Sequence, residues 1–258
     1  MTAQEEVLVS ILVTNFNYVR YIEQAVRSVA EQTYSPLELI IVDDGSKDNS
    51  MEVINILESQ HSGRFRNFVV LSKTNGGFPS ALNAGFRHVK GEVTIFFDAD
   101  DIMFPTYVQR TTELLIARKG ERVGFVYTHS ILIDEQGYII LGSDDQPIER
   151  PSTNFDAELL KTFSYIPGCG TTLTEALQKI FPFDEGIQSG EKHARWQAIV
   201  SKGYIGLYIP EPLFYYRQHS NNLSGVGVRT QSQIASGGIT NHLLEVPWPT
   251  HKPGIPQG

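Results

Sequence analysis

The stretch Val93-Thr94-Ile95-Phe96-Phe97-Asp98-Ala99-Asp100-Asp101 decides how this chain is read. Val93 to Phe97 has the length and composition of a strand, and a dense acidic group follows it at once. Successive side chains on a strand point to opposite faces, so Asp98 and Asp100 project the same way. Two carboxylates on one side of a strand end can hold a hard divalent cation. Mg²⁺ and Mn²⁺ take oxygen ligands and leave positions for water and phosphate. Aspartate is also common in turns, so these residues taken alone suit a capped strand–helix turn equally well.

Working outward, the same strand-then-acid pattern recurs upstream. Leu37 to Val42 is an apolar run that leads directly into Asp43-Asp44-Gly45-Ser46. A carboxylate in that position can accept hydrogen bonds from a base N–H or from ribose hydroxyls, although Asp, Gly and Ser also make an ordinary turn. Leu8 to Val13 is a continuous apolar run, as expected for a strand covered on both faces, and Thr14-Asn15-Phe16-Asn17 follows it. Asn17 is the expected N-cap of a helix reaching about Gln32, with Val19, Ile22, Val26 and Val29 at helical spacing. Helices are also expected over Ser50 to Ser59 and Pro79 to Val89, and a strand over Phe68 to Leu71. Strands alternating with helices imply parallel pairing through right-handed crossovers, and ligands then sit at the carboxyl ends of the strands. Both acidic groups fall there.

The second half is more mixed. Pro105 to Arg118, Phe155 to Phe163 and Glu191 to Lys202 read as helices, and Val123 to Thr128 as a strand. Ile131 to Leu141 reads as a hairpin turning at Gln136-Gly137. Gly206 to Ile209 and Leu213 to Arg217 read as two short strands around Pro210-Glu211-Pro212. Ser143 to Asn154 and Ile166 to Thr172 read as loops that set sugar and acceptor preference. Residues 225–258, rich in Gly, Ser, Gln and Pro, read as an extension or linker.

Composition narrows the function classes. The chain has 258 residues and a net charge of −8, which argues against a nucleic-acid partner because phosphate binding needs a basic footprint. A single cysteine, Cys169, excludes an internal disulfide and is expected to be a small buried hydrophobe. No secretion signal and no apolar run of about 20 residues is present, so the expected location is cytoplasmic, with attachment at the inner face of a membrane left open.

In order and spacing, four segments of the chain resemble the inverting family 2 glycosyltransferases. They are VSILVTNFNYVRYIEQAVRSVAEQTY, LELIIVDDGSKDNS, NGGFPSALNAGFRHVKGEVTIFFDADD and YIPEPLFYYRQHSNNLS. The resemblance covers about residues 7 to 224. It implies an α/β GT-A fold with a mixed central sheet: a Rossmann-like nucleotide-sugar-binding half over 1–101 and a smaller acceptor-binding, catalytic half over 102–224. By the same resemblance Thr14 and Asp43 contact the base, with Asp44 nearby, and Asn75 and Gly77 lie beside the nucleotide. Asp98 is expected near the ribose, Asp100 on the metal and Asp101 on the sugar side. Asn15, Asn17, Asn83 and Ala99 of these motifs join the nucleotide-binding set. His219 stands where several GT-A enzymes place a histidine near metal and diphosphate, though an ordinary loop histidine fits equally. The implied cofactor is Mn²⁺ or Mg²⁺. The implied donor is a UDP- or dTDP-sugar, and the acceptor is a saccharide, lipid-linked or other hydroxyl in polysaccharide or glycoconjugate synthesis. Oligomeric state is not legible.

The chain departs from the family pattern at two places. Inverting transfer needs a base for the acceptor hydroxyl, in this family usually the Asp of a Glu-Asp pair ahead of a Trp. Aligned on Trp196, that position holds Lys192, which as an ammonium accepts no proton. Glu191 is the expected substitute, with Asp184 and Glu185 as outside candidates, although an acid in a first helical turn also simply favours the dipole. Leu82 stands where many relatives carry an arginine toward the diphosphate. Lys192 therefore leaves open a second reading, a nucleotide-sugar-binding module without turnover. A sugar-1-phosphate nucleotidyltransferase is disfavoured because Thr14 to Val19 contains neither Gly nor Lys. A nicotinamide dehydrogenase is disfavoured because no G-x-G-x-x-G follows the first strand.

Overall fold

A computed structural model describes residues 7–187, 189–220, 222 and 244–245. In chain order, the first half contains β1 (Val9–Asn15), α1 (Ile22–Ala30), β2 (Leu37–Asp43), α2 (Ser50–His61), β3 (Asn67–Ser72), α3 (Phe78–Phe86), β4 (Val93–Asp98), β5 (Ile102–Met103) and α4 (Tyr107–Ala117). There follow β6 (Val123–Ile133), β7 (Tyr138–Ile139), β8 (Glu149–Arg150), α5 (Ala157–Thr162), β9 (Gly170–Leu173), α6 (Thr174–Gln178), α7 (Glu191–Ser201), β10 (Ile205–Arg217) and β11 (Leu244–Glu245). The chain divides into two compact units, residues 1–130 with 150–216 and residues 131–149 with 217–258.

In the first unit β1 lies between β2 and β4, parallel to both, and β3 extends the parallel set beyond β2. β9 then runs antiparallel to β4 and to β6, so the sheet is mixed. All seven residues of β1 and of β2 are buried, which explains why these strands read as unbroken apolar runs. Glu38 interrupts the apolar run inside β2 and is buried. Its Oε1 accepts from the Ser10 hydroxyl at 2.5 Å and the Lys90 N–H at 2.7 Å.

Helix α1 covers the sheet with Ile22, Ala25, Val26 and Val29, while Glu23 and Arg27 pair on its outer face. Helix α3 packs directly on β1 and β2. A Cβ at Gly85 would lie 2.6 Å from Leu12 Cδ1 and 2.8 Å from Val42 Cγ2, so only glycine lets the helix approach β1 and β2 this nearly. Helix α7 is anchored by Trp196, which stacks on Phe125 and donates to the Pro167 carbonyl at 3.0 Å. Cys169 is buried as expected, its thiol donating to the Tyr107 hydroxyl.

In the second unit the Gln136-Gly137 hairpin forms as expected. Asp134 closes it, its carboxylate accepting from the N–H groups of Gln136 and Tyr138 at 2.9 Å each. β7 pairs antiparallel with the end of β6 and with β11. The rest of the Gly- and Pro-rich tail expected to be a linker lies outside the described residues.

Four sequence expectations are corrected, the simplest being that the expected loop Ser143 to Asn154 contains β8, which pairs with β6. Asn17 does not cap α1, which begins at Ile22. Asn17 instead adopts the left-handed region at φ 57°, donates its N–H to Ser46 Oγ and accepts from the Lys47 N–H at 2.7 Å. The loop after β2 competes for it and wins. The two short strands around Pro210 and Pro212 are one strand, β10, with Pro210 and Glu211 exposed on it. Part of the expected loop at 166–172 is strand β9. Its four residues carry no periodic signal, and it exists because β4 and β6 supply hydrogen bonds on both sides.

Candidate active site

The parallel register places the three motifs side by side. Asn15 at the end of β1 pairs with Asp43 at the end of β2, and Thr14 pairs with Asp98 at the end of β4. What lies far apart in sequence therefore converges at one carboxyl edge, where open α/β sheets bind ligands.

Asp43 is buried and fully engaged. Its Oδ1 accepts from Asn15 Nδ2 at 2.8 Å and from the Ser46 hydroxyl at 2.5 Å, while Oδ2 accepts from the Ser46 N–H at 3.0 Å. Asp44 turns the other way and gathers the loop ahead of α3. It accepts from Lys73 Nζ at 2.7 Å, Gly76 N–H at 3.0 Å and Gly77 N–H at 2.8 Å. Gly45 sits at φ 76°, and a Cβ there would stand 2.8 Å from the Asn75 nitrogen, so this close approach requires glycine. Between these segments opens a cavity of ≈ 520 Å³ lined by Asp43, Gly45, Ser46, Met51, Lys73 and Asn75. Its size is that of a small-ligand site.

Beyond β4, Asp98, Asp100 and Asp101 each offer a carboxylate oxygen, and these atoms lie within 4.8 Å of one another. Ala99 between them is fully buried, which fixes the turn. An all-oxygen, anionic donor set at this spacing fits Mn²⁺ or Mg²⁺. Tyr18 was not singled out from sequence, yet its phenol is part of this environment. Burial, and after it the negative charge of Asp100, Asp98 and Asp101, push it well above the ordinary tyrosine range. Its position directly after the Thr14–Asn17 motif was the available signal.

Lys192 is the residue the structure redefines. Its Nζ makes a short ion pair with Asp98 Oδ2. Burial opposes the charge, but Asp98, then Tyr216 and Asp101, hold the ammonium above the usual lysine range. Glu191 opens α7 and is buried, with Oε1 3.1 Å from Arg195 Nε and Oε2 without a hydrogen-bond partner. Asn83 spends its amide on the segment before α7. Its Nδ2 donates to the Phe183 carbonyl and Glu185 Oε1, and its Oδ1 accepts from the Phe183 N–H. Asp184 closes its own turn by accepting from the Gly186 N–H. His219 belongs to the second unit, where it is buried and its N–H donates to Asn222 Oδ1 at 2.7 Å. Among the described residues no helix is long and apolar enough to cross a membrane.

This is an α/β protein whose acidic strand ends share one carboxyl edge, with Asp43 lining a ligand-sized cavity, and comparison with known proteins specifies the class. Residues 10–181 match the family described as Glycosyl transferase family 2. The chain belongs to that family. It is 31% identical over 242 residues to an uncharacterized glycosyltransferase of Nostoc sp., covering 88% of this chain and 70% of the relative. It shares its fold with TarS of S. aureus, solved with UDP, at a TM-score of 0.60 and 18% identity over 82% of this chain and 61% of that one. It is also similar to the mannosyltransferase PcManGT of Pyrobaculum calidifontis, solved with GDP-Man and Mn²⁺. That likeness has a TM-score of 0.62 at 17% identity, over 85% of this chain and 59% of that one. The fold is GT-A and the chain is a glycosyltransferase, spanning about three fifths of the two solved chains.

Proposed function

We propose that this chain transfers a sugar, with inversion, from a UDP- or dTDP-sugar to an acceptor hydroxyl. The observation that carries the reading is the parallel register that brings Thr14, Asp43 and Asp98 to one strand edge, where Asp43 lines the cavity. The base lies against the Asp43 side of that cavity, with Asn15 and Ser46 holding the carboxylate in place. Asp44 orders the loop bearing Asn75 and Gly77, which flanks the nucleotide. Asp98, Asp100 and Asp101 would hold Mn²⁺ or Mg²⁺, which supplies positive charge to the diphosphate when bound. The complexes of TarS with UDP and of PcManGT with GDP-Man and Mn²⁺ support a metal-assisted nucleotide-sugar donor.

In the transfer, Glu191 takes the proton of the acceptor hydroxyl. The acceptor oxygen bonds to the anomeric carbon from the face opposite the phosphate. The bond from that carbon to the phosphate oxygen breaks, and its electron pair leaves with the nucleoside diphosphate. Its place at the first residue of α7, next to Lys192, supports Glu191 as the base; its buried Oε2 has no hydrogen-bond partner, and the side chain turns from Arg195 to reach an acceptor hydroxyl. Lys192 is excluded from that role because it is an ammonium paired with Asp98.

The test is calorimetric titration of UDP, with and without Mn²⁺, into wild type and Asp100→Ala. Metal-dependent binding lost in the variant supports the donor site. No uptake of UDP, dTDP or GDP by wild type under either condition overturns the reading. Glu191→Gln should then retain UDP binding and lose turnover, and an active variant would remove Glu191 as the base.

A further inference from the structure

We propose that Lys192 is a resident cation of the donor site whose ammonium contacts the diphosphate of the bound nucleotide-sugar. This rests on the transferase reading above and adds a donor-binding residue where the family pattern has a carboxylate.

Three parts of the fold hold the side chain. At Gly168 the absence of a Cβ makes the channel. A methyl there would stand 2.3 Å from Lys192 Cδ and 2.7 Å from both Cε and Nζ. The Phe78 ring, at the start of α3 and next to Gly77, lies 5.6 Å from Nζ in cation–π range. Asp98, at the end of β4, accepts from Nζ. A long, flexible side chain is thus aimed from α7 into the acidic strand edge, and a glycine is spent on letting it through.

The arrangement leaves the ammonium able to bind a second anion. An ammonium carries three donors, and among the described residues its hydrogen-bond acceptor is Asp98, so two donors remain. The side chains of Lys192 and Asp98 are 33% and 18% exposed, so the pair is not sealed from solvent. Charge balance points the same way. By formal charge, three carboxylates and a divalent ion sum to −1, a surface that still repels a diphosphate. Lys192 brings the sum to zero before the donor arrives. An aspartate at this position would have made the edge more negative instead.

The experiment measures two affinities on wild type, Lys192→Met and Gly168→Ala. Calorimetry follows UDP, dTDP and GDP in the presence of Mn²⁺, and electron paramagnetic resonance of the free ion follows Mn²⁺ alone. Losing one charge-assisted contact should weaken nucleoside diphosphate binding about 10- to 100-fold in Lys192→Met. Mn²⁺ alone should bind at least as tightly as to wild type, because Asp98 is released. A lysine that merely neutralises Asp98 would also lower diphosphate affinity in Lys192→Met through the lost charge, but would leave it within twofold in Gly168→Ala, which keeps the charge and moves the ammonium. Gly168→Ala keeps every charge and displaces only the flexible end of Lys192, so it should weaken the diphosphate in the same direction even if Lys192→Met fails to fold. If wild type binds a nucleoside diphosphate and the folded variants bind it within twofold, the role of Lys192 is refuted while the transferase reading stands. If wild type binds none, the transferase reading fails and this one with it.

Discussion

Asp44→Asn tests how the donor cavity is built, because it changes charge and hydrogen bonding at nearly constant shape. Asp44 is 5% exposed at its side chain, and both oxygens are in use. Lys73 Nζ and Gly76 N–H reach Oδ1, and Gly77 N–H reaches Oδ2 at 2.8 Å. An amide supplies one acceptor and one donor. Whichever way it turns, its NH₂ meets either the Gly77 N–H or the Lys73 ammonium with the Gly76 N–H. At least one charge-assisted bond is lost, worth about 1.5–3 kcal/mol. The Lys73 pair, with that lysine 26% exposed, adds about 0.5–1 kcal/mol. The expected loss is therefore about 2–4 kcal/mol, or a melting temperature lower by roughly 4–16 °C for a domain of this size. Urea unfolding followed by tryptophan fluorescence measures it, since Trp196 is buried in the same unit. In a Lys73→Met background the same substitution should cost about 0.5–1 kcal/mol less, the coupling read from a double-mutant cycle. UDP affinity should fall in parallel, because the loop carrying Asn75 and Gly77 loses its anchor. A stability loss below about 0.5 kcal/mol with unchanged UDP affinity would refute Asp44 as the organiser of this loop.

Other perturbations reach the scaffold. Gly85→Ala should destabilise by about 1–3 kcal/mol in urea, because the new methyl overlaps Leu12 and Val42 and outweighs the gain of about 1 kcal/mol in helix propensity. A stabilised variant would mean that α3 is not seated on β1 and β2 as described. Asp48 is held below the ordinary aspartate range: burial pushes its carboxyl up, but hydrogen bonds from Ser50 and the Val19 N–H outweigh it. Its stabilisation is then full above the unfolded value of about 3.9 and lost as pH falls through the lower folded value. Asp48→Asn should be less stable at neutral pH, with the gap to wild type closing in acid. A gap independent of pH would contradict this. Asp156→Ala removes the cap that accepts from the Glu158 and Leu159 N–H groups and should cost about 1 kcal/mol by thermal melting. An unchanged melting temperature would show that α5 is held by packing alone.

Much of the fold was legible in local pattern. β1 and β2 read as strands because cover on both faces makes them nearly continuous apolar runs, broken inside only by the buried Ser10–Glu38 pair, and α1 because its buried residues recur every three or four positions. The acidic groups stood out because charge directly after an apolar run marks a strand end, and their order carried the family. Local pattern could not supply partners. Asn17 looked like a helix cap until the loop after β2 claimed both its N–H and its side chain. Gly170 to Leu173 became a strand only because β4 and β6 stood free on either side of it. Asn83 sits in a donor motif, yet its amide is spent on Phe183 and Glu185, a hundred residues away. Lys192 shows the limit most sharply. From sequence it was a missing base, a departure defined by what it was not. Its contact with Asp98, its passage over Gly168 and its place beside Phe78 depend on bringing β4, α3 and α7 together. That is a matter of three-dimensional packing, and spacing along the chain contains no record of it.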